Sequence, residues 1–428
     1  MTTKRDQRHK KHGRNRARAE AYEKAVALNM PDTTDVCVIG GGPAGLTAAL
    51  YAAKKGARVV VLERADTCGK TILATGNGRC NFANEQLLPE RYNNPSFVKQ
   101  ILDNGLAQIL ELFQSCGMAW TSIEERLYPM SLSAASVRDV LLGAVAEQPV
   151  ILASLREVLA ITNISQQAKY EITYTDPQPC TTSAVNTRTL IASSVIIACG
   201  GALTGAAHTS DIAQALNLTS TPTRPGLCAL TCSMPVELKQ ADGRRAHCLA
   251  TLVRNNQPLV QESGEVLFRS YGLSGVVIFD LSRFVQSGDE IVLDLAPSLS
   301  KATIQTLCSH THAPAHTLSG IVDPVLAQAL ESYAHAAASS DPVQLIKELR
   351  FRVEGAADKT HAQITCGGLA TDSFDPTTLE AYALPGCFAC GEALNIDGAC
   401  GGFNLAWAWL SGMRAGNEAA HYSSNRHS

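Results

Sequence analysis

Val36-Cys-Val-Ile-Gly40-Gly-Gly42-Pro-Ala-Gly45 is the stretch that decides the fold of this 428-residue chain. The apolar run at residues 36–39 predicts a buried parallel strand, and it leads directly into the spacing Gly40-x-Gly42-x-x-Gly45. The first glycine of this spacing permits a tight turn, the second keeps the turn open to a ligand, and the third lets the next helix pack against the strand. The stretch therefore predicts a strand, a glycine turn and a helix, in that order.

The residues that follow complete a βαβ unit. A helix is expected at residues 43–55 with Gly56 ending it, and a second strand at residues 58–62. The free N–H groups and the dipole at the start of the helix favour a phosphate. Glu63, about 20 residues past the glycines, is in the position of an acid that bonds a ribose hydroxyl. The order of these elements predicts a dinucleotide site rather than a glycine turn without a ligand.

The composition is that of a globular enzyme with more than one domain. Hydrophobic residues make up 45% of the chain and charged residues 18%. No apolar run approaches the length of a membrane span. The 14 cysteines are scattered and no secretory signal precedes them, which predicts a reduced, cytoplasmic protein with free thiols. Cys387-x-x-Cys390 lacks the further ligands of a zinc site, so we expect packing there and no metal.

Charge is spread unevenly along the chain. Residues 1–30 contain nine Lys or Arg and three acids, a net charge of +6, and the remainder of the chain carries −9. The nine are Lys4, Arg5, Arg8, Lys10, Lys11, Arg14, Arg16, Arg18 and Lys24. The pattern predicts a basic, flexible arm, with a helix as an option for residues 19–28, on an acidic body.

Glycine turns return in later parts of the chain. A strand at residues 195–198 ends in Cys199-Gly200-Gly201, a turn expected beside the cofactor. Residues 215–295 are rich in strand patterns and residues 300–350 in helical ones, and glycine-rich elements resume at residue 366. No second Gly-x-Gly-x-x-Gly with a following acid occurs, which argues against a separate nicotinamide-binding domain.

Four unusual blocks carry a family resemblance. They are Gly40 to Gly45 with Glu63; Gly69-Lys70 with Gly76-Asn-Gly-Arg-Cys-Asn81; Tyr271-Gly-Leu-Ser-Gly275; and Gly391-Glu392 through Asp397-Gly-Ala-Cys-Gly-Gly402-Phe-Asn404-Leu405 with Trp407 and Trp409. With them, residues 35–416 resemble the bacterial flavoproteins of the YhiN/BaiN type, which are also described as aminoacetone-oxidase-like. Asn395 stands where the family usually has an aspartate, and the loop after Gly201 also departs from the family pattern. These departures bear on the substrate rather than on the flavin.

The resemblance implies an α/β fold with a Rossmann-like, glutathione-reductase-like, three-layer FAD-binding domain. A β-barrel-like domain and a small helical domain interrupt it. The resemblance also implies FAD as cofactor and NADPH or NADH as reductant. Together with the patterns above, it divides the chain into an arm at 1–30, a FAD-binding domain at 31–214 and 366–421, an inserted β-rich domain at 215–298 with a return strand at 351–365, a helical subdomain at 299–350 and a tail at 422–428.

The candidate cofactor-binding residues lie in the glycine-rich blocks. Asn77, Asn81 and Asn404 could bond a flavin or base edge, or only shape glycine turns. Glu392 and Asp397 are expected near the ribityl chain or the ring, although either could also cap the helix that follows. The full set is Gly40, Gly42, Pro43, Ala44, Gly45, Glu63, Arg64, Lys70, Gly76, Asn77, Gly78, Arg79, Asn81, Gly200, Gly201, Gly391, Glu392, Asp397, Gly401, Gly402, Phe403 and Asn404.

Arg79, Cys80 and Cys400 are the candidate catalytic residues. The guanidinium of Arg79 could neutralise a phosphate or the reduced flavin anion, or only form a surface ion pair. A thiol at Cys80 or Cys400 could donate a proton, although an inert buried thiol is the commoner fate of cysteine.

The aromatic residues of the shared blocks have structural interpretations. Trp407 and Trp409 are expected to pack in the core. Tyr271 could stack on a flipped base, but we interpret it as a residue of the barrel core. His208 has no assigned role.

Two classes of function follow from a flavin beside polar groups. Reducing a C=C bond conjugated to a carbonyl needs a hydride, a proton and hydrogen-bond donors for the carbonyl oxygen. The resemblance implies such a reaction on a uridine of 23S ribosomal RNA, and the arm supports it because Lys and Arg neutralise phosphates. For the arm, the alternative is a solvated tail without a role in binding. For the function, the alternative is a small-molecule enzyme that reduces an unsaturated ketone or steroid or oxidises an amine. A non-catalytic FAD-binding partner protein is disfavoured by the dense polar and glycine blocks.

Overall fold

Two compact units make up the computed structural model of the chain. It describes residues 16, 18–164, 167, 169–177, 186–201, 208–309, 318–336, 341–357 and 362–426. The first unit comprises residues 1–224 and 365–428, and the second comprises residues 225–364. Six basic residues of the predicted arm (Lys4, Arg5, Arg8, Lys10, Lys11 and Arg14) lie outside the described residues, as does the loop at 202–207.

The regular elements follow one another in chain order. The strands are β1 (Thr33–Ile39), β2 (Val59–Glu63), β3 (Ala83–Asn84), β4 (Trp120–Ile123), β5 (Arg126–Pro129), β6 (Val150–Ser154), β7 (Val158–Ile164), β8 (Lys169–Thr175), β9 (Thr187–Ile197), β10 (Ser220–Gly226), β11 (Leu230–Cys232), β12 (Arg245–Arg254), β13 (Gln257–Arg269), β14 (Gly272–Ser274), β15 (Glu290–Asp294), β16 (Leu349–Ala356), β17 (Ile364–Leu369) and β18 (Cys387–Ala389). The helices are α1 (Pro43–Lys54), α2 (Pro95–Leu102), α3 (Gly105–Ser115), α4 (Ala134–Ala146), α5 (His208–Ala215), α6 (Val276–Ser282), α7 (Lys301–Ser309), α8 (Pro324–Ala336), α9 (Pro342–Lys347) and α10 (Phe403–Ser424). Short 3-10 segments occupy Lys70–Gly78, Pro89–Arg91, Glu237–Ala241, Thr371–Ser373 and Gly391–Ala393.

A seven-stranded mixed sheet forms the centre of the first unit. Its order is β6-β2-β1-β9-β8-β7, and β18 also pairs with β9. The strands β6, β2, β1, β9 and β18 run parallel, with Val38 opposite Val61 on one side and Ile196 on the other. Their central paired stretches at residues 36–39, 59–62 and 195–197 are apolar because a parallel sheet is covered on both faces. The last residues of β9 pair in parallel with β18, whereas its first residues pair antiparallel with β8.

The helices α1 and α10 lie unusually close together in the first unit. A Cβ at Gly412 would lie 2.5 Å from Ala44 O, and one at Gly416 would lie 2.3 Å from Ala48 O. Only glycine permits this approach, since a methyl group would displace the facing backbone. The predicted core positions of Trp407 and Trp409 on α10 are confirmed, since both are buried.

Residues 95–115 form two helices, α2 and α3, rather than one. The break between α2 and α3 falls at Asn104, whose φ of +53° is in the left-handed region that a helix interior excludes. Cys387 begins β18, Cys390 directly follows its last residue, and both are buried. Burial raises the pKa of the Cys387 thiol to about 12, so it stays protonated at neutral pH.

The second unit contains a closed six-stranded barrel of order β11-β14-β13-β12-β15-β16, accompanied by the helices α6 to α9. The inward-facing residues alternate along β12 and β15, so that Leu252 and Ile291 are buried. The predicted fold class, a Rossmann-like FAD-binding type with a barrel-like insertion and helices, is confirmed. The interpretation of Tyr271 as a barrel-core residue is wrong: the ring is 39% exposed and carries the Arg269 guanidinium over its face at 5.5 Å.

The end of the predicted arm is helical at residues 18–27 and is joined to the first unit through Arg156. Arg156 is only 1% exposed, pairs with Asp176 Oδ1 at 2.9 Å and donates from Nη2 to Ala25 O at 3.0 Å. Ala25 and Met30 are themselves buried. The described part of the arm is thus anchored to the body by a buried charge.

No helix within the described residues is both long and apolar enough to cross a membrane. Those residues also contain no group of His, Cys, Asp or Glu side chains arranged to hold a metal ion.

Candidate functional site

The glycine turn between β1 and α1 is built on backbone contacts. Gly40 donates its N–H to Leu62 O at 2.9 Å and has a φ of +102°. A Cβ at Gly45 would lie 1.9 Å from Gly40 O, closer than any side chain can come. Gly45 therefore allows α1 to start directly against the turn.

The start of α1 combines open space with free donors. Around Gly42, a Cβ would meet only Thr71 Oγ1, at 3.5 Å, among the described residues. The first hydrogen bond within α1 runs from Leu46 N–H to Gly42 O, so the N–H groups of Ala44 and Gly45 are not used by the helix, and Pro43 has none to satisfy. Such an end favours a bound phosphate group.

Glu63 holds the next loop in place at the end of β2. Its carboxylate accepts the N–H of Gly41 and that of Ala65, both at 2.6 Å. Two further predicted residues lie nearby on the surface. Arg64 is exposed, and the exposed Lys70 pairs with Asp66 at 3.0 Å.

The segment from Gly76 to Cys80 turns sharply, and its two predicted catalytic residues differ in exposure to solvent. Gly76 and Asn77 have φ values of +54° and +53°, and Gly78 has +82°. Arg79 is exposed, whereas Cys80 is fully buried with a φ of +55°. Burial raises the pKa of the Cys80 thiol to about 11, and a hydrogen bond with Thr75 opposes this. The thiol is therefore protonated and shielded from water.

The beginning of α10 meets the segment after Cys80. Asn84 donates from Nδ2 to Gly401 O at 3.0 Å. A Cβ at Gly402, where φ is +97°, would lie 2.4 Å from Ala83 O and 2.8 Å from Asn81 Oδ1. This oxygen of Asn81 is buried and has no hydrogen-bond partner among the described residues.

Phe403, the first residue of α10, is fixed from one side by Tyr92. The two rings meet edge to face at 6.0 Å, and the Tyr92 hydroxyl donates to Phe403 O at 2.8 Å. Phe403 is buried, so its ring is part of the packing that positions the helix. Cys400, three residues earlier, is half-buried.

Gly391 brings the last part of the chain against α1. A Cβ there would lie 2.7 Å from Ala44 Cβ. Its N–H is donated to Ser411 Oγ at 3.0 Å, and its carbonyl oxygen accepts the Trp407 Nε1–H at 3.1 Å. The turn at Gly391 is thus held between α1 and α10.

The carboxyl group of Glu392 lies beside Gly201 and Thr365. A Cβ at Gly201 would lie 2.9 Å from Glu392 Oε2 and 2.2 Å from Thr365 Cβ. Burial raises the pKa of Glu392 from 4.5 to about 7, hydrogen bonds from the backbone of Thr365 and Gly201 oppose the rise, and Asp397 adds to it. Next to Gly201, the Gly200 carbonyl oxygen accepts the Thr209 hydroxyl at 2.9 Å.

Glu392→Gln is expected to remove the part of the pH dependence of stability that comes from ionisation of the Glu392 carboxyl group. The unfolded carboxyl ionises near 4.5 and the folded one near 7, so the folded state binds more protons in that window and stability falls as pH rises through it. The free energy of unfolding lost between pH 4.5 and pH 7 is at most about 3 kcal/mol. Thermal unfolding of wild type and Glu392→Gln at pH 5 and pH 8, at equal flavin content, measures it. Equal pH slopes in the two proteins would contradict the expectation.

The side chain of Asn404 forms hydrogen bonds with the loop that precedes α10. Its Oδ1 accepts the N–H of Gly398, and its Nδ2 donates to Gly398 O, both at 2.8 Å. The preceding Asp397 is buried, and its backbone exchanges hydrogen bonds with Asn93 at 3.0 Å. The side chain of Asn404 is therefore engaged in shaping the turn, which was one of its two interpretations.

The structure brings most of the predicted residues of the first unit into one continuous set. The turn from Gly40 to Gly45 contacts Gly391, Glu392 lies beside Gly201, and Asn81 lies beside Gly402. Four further predicted residues are exposed, namely Arg64, Lys70, Asn77 and Arg79. Sequence reasoning did not identify the supporting residues Thr71, Asn84, Asn93, Thr365 and Ser411, because only their distant partners distinguish them.

These features fit FAD. The space at Gly42 and the start of α1 suit the diphosphate, and the carboxyl groups of Glu63 and Glu392 suit hydroxyl groups of the ribose and the ribityl chain. The unpaired oxygen of Asn81 suits a polar edge of the ring.

Comparison with known proteins agrees with these features. Residues 34–418 match the family described as HI0933-like protein Rossmann domain. The chain is 30% identical over 416 residues to the 3-dehydro-bile acid delta(4,6)-reductase of Clostridium scindens. The aligned region covers 90% of this chain and 98% of that protein. The chain is 28% identical over 399 residues to the ribosomal RNA dihydrouridine synthase of Escherichia coli, covering 88% and 96%.

One solved structure with a similar fold is the 3-ketosteroid delta1-dehydrogenase from Sterolibacterium denitrificans in complex with 1,4-androstadiene-3,17-dione. The TM-score is 0.52 at 12% identity, covering 91% of this chain and all (100%) of that one. At this identity the similarity concerns the fold alone.

Proposed function

The chain belongs to the HI0933-like Rossmann-domain family of flavin-dependent oxidoreductases, and from this premise we propose that it uses FAD and NADPH or NADH to reduce a C=C bond conjugated to a carbonyl. The substrate we propose is a uridine of 23S ribosomal RNA, which becomes dihydrouridine. The observation that carries this choice is the net charge of +6 on residues 1–30 against −9 on the remainder of the chain. Such an arm supplies salt-sensitive affinity for phosphates.

The residues of the site would bind and orient the cofactor. The first N–H groups of α1 and the open turn at Gly42 would hold the diphosphate, and Glu63 and Glu392 would accept hydroxyl groups. FAD, when bound, supplies the hydride. The free N–H groups at the start of α10 are donors for a carbonyl oxygen that gains charge.

The proton for the neighbouring carbon requires a separate donor. Of the two candidate thiols, Cys400 is half-buried and Cys80 is fully buried, so Cys400 is the better assignment. Arg79, exposed directly after the turn at residues 76–78, would contact a phosphate of the RNA rather than the buried part of the site.

The deciding experiment is nucleoside mass spectrometry of 23S RNA from a strain that lacks this protein. We expect one dihydrouridine to disappear and to return when the wild-type chain is supplied. An unchanged modification map would rule out the RNA substrate.

Neutralising the arm is expected to weaken RNA binding without affecting the flavin. Replacing Lys4, Arg5, Arg8, Lys10, Lys11 and Arg14 by glutamine removes up to six phosphate contacts, each of which contributes about 0.7–0.9 to the slope of log affinity against log salt. We expect affinity for 23S RNA fragments to fall about 10- to 100-fold near physiological salt, with a shallower slope. Filter binding across a salt series measures both quantities.

A matched variant controls for the loss of charge alone. It changes the same number of exposed basic residues on the body to glutamine, namely Lys54, Lys55, Lys99, Lys239, Lys301 and Arg350. An equal loss of affinity in this variant would contradict a specific role of the arm.

A small-molecule substrate is the second candidate. The observation that favours it is the 30% identity, over nearly the full length, to a bile-acid reductase. In this case an unsaturated ketone would reoxidise the reduced flavin rapidly, and the dihydrouridine map would not depend on the protein.

A further inference from the structure

Arg156 joins the helix at the end of the arm to the loop that follows β2. Its Nη2 donates to Ala25 O at 3.0 Å, and its backbone N–H donates to Glu63 O at 2.8 Å. The preceding Leu155 has a φ of +57° and donates its N–H to Ala65 O at 2.9 Å, so the turn between β6 and β7 lies against that loop. One residue therefore contacts both the arm and the segment beside the glycine turn.

Glu63 extends this contact to the glycine turn itself. Its carboxylate accepts the N–H groups of Gly41 and Ala65, both at 2.6 Å. The N–H of Gly69 donates to Gly41 O at 2.7 Å and joins the other end of the loop to the turn. A shift of the backbone at Glu63 thus moves the carboxylate that is in position for a ribose hydroxyl.

The docking of the arm depends on the same guanidinium. Arg156 is 1% exposed, donates from Nη1 to Ser154 O at 3.3 Å and pairs with Asp176 at 2.9 Å. On the arm, Ala25 and Met30 are 4% and 3% exposed. A buried guanidinium is costly unless its N–H groups have acceptors. Undocking of the helix removes one acceptor of Nη2, and the turn that carries Arg156 must then adjust.

We propose that Arg156 is a positioning residue that couples the docking of the arm to binding of the adenosine diphosphate half of FAD. The docked helix holds the guanidinium, and the backbone of the same residue holds Glu63 at the glycine turn. Coupling of this kind is reciprocal, so a ligand with that half favours the docked arm by the same factor by which docking favours the ligand. The inference rests on the FAD site of the proposed function and does not require the RNA substrate.

Limited trypsin digestion of the full-length wild type measures the coupling from the side of the ligand. The flavin-free protein is digested alone, with FAD, with ADP and with riboflavin, which lacks the adenosine diphosphate half. Lys24 is exposed on the docked helix, and cleavage after it is followed by mass spectrometry. We expect saturating FAD or ADP to slow this cleavage about fivefold or more, and riboflavin to change it less than about twofold.

A matched pair of full-length variants measures the coupling from the side of the arm. Ala25→Lys introduces a second cation next to the buried guanidinium and releases the helix, whereas Ala19→Lys makes the same change at an exposed position of that helix. We expect the Kd values of FAD and ADP to rise together in Ala25→Lys, by the factor found in the digestion. In Ala19→Lys both should stay within about twofold of wild type.

The outcomes separate coupling from a general loss of structure. Cleavage after Lys24 that FAD and ADP do not slow, or a loss of FAD affinity in Ala25→Lys without an equal loss of ADP affinity, overturns the proposal. If Ala25→Lys does not fold, Arg156→Lys, which keeps a cation beside Asp176 but loses the guanidinium fork, is judged by the same ratios. A wild type that binds neither FAD nor ADP would overturn the proposed cofactor as well. An unchanged dihydrouridine map would leave the coupling intact, so the two ideas fail separately.

Discussion

Gly45→Val is expected to abolish FAD binding. A Cβ at this position would lie 1.9 Å from Gly40 O and 3.1 Å from Gly40 C, so even the first carbon of a side chain displaces backbone. The start of α1 must then move away from the turn, and its N–H groups no longer converge on the space at Gly42. We expect affinity for FAD to fall at least about 100-fold, because several charge-assisted hydrogen bonds are lost together.

The measurement is the flavin content of the purified protein and its titration with FAD. Gly143→Ala is a matched control, because Gly143 is also helical, is exposed and would place a Cβ with nothing within 4 Å among the described residues. Alanine there should stabilise α4 by up to about 1 kcal/mol and leave flavin content unchanged. A Gly45→Val protein purified with stoichiometric FAD would refute the role of the close contact.

Arg156→Leu is expected to destabilise the first unit by about 3–5 kcal/mol, because it removes the buried guanidinium that pairs with the Asp176 carboxylate, whose side chain is 9% exposed. The change also removes the bond from Arg156 to Ala25 O and so releases the helical segment at residues 18–27. Denaturant unfolding followed by tryptophan fluorescence measures the effect. All three tryptophans of the chain, Trp120, Trp407 and Trp409, belong to the first unit and report on it selectively.

Two further variants separate the buried charge from other effects of the substitution. The double variant Arg156→Leu with Asp176→Leu removes both charges and should recover most of the lost stability. Arg58→Gln breaks the pair with Asp35, in which the arginine is 63% exposed, and should cost no more than about 1 kcal/mol. A single Arg156→Leu variant as stable as Arg58→Gln would show that the buried pair contributes little.

The parts of the fold that could be predicted are those encoded in short stretches. The order of β1, the glycine turn, α1 and β2 follows from residues 36–63, because each glycine in the turn has a local steric reason. The family predicted from the four blocks is confirmed by the match over residues 34–418.

The remainder depends on contacts between distant residues. Asn84 and Gly401, which are 317 positions apart, meet at the start of α10, and no local pattern reveals this. The exposure of Tyr271 depends in the same way on how the barrel closes. Arg156 resembles an ordinary surface charge in the sequence, and its burial against Asp176 depends on the packing of the sheet.

The close packing of α10 on α1 has a consequence for biosynthesis. The turn at Gly40–Gly45 is synthesised well before Gly412 and Gly416, which let α10 settle on Ala44 and Ala48. A nascent chain still on the ribosome therefore displays the glycine turn without the helix that covers it. We therefore expect a chain that stops before residue 412 to bind FAD poorly, because the packing of α10 on α1 is then missing.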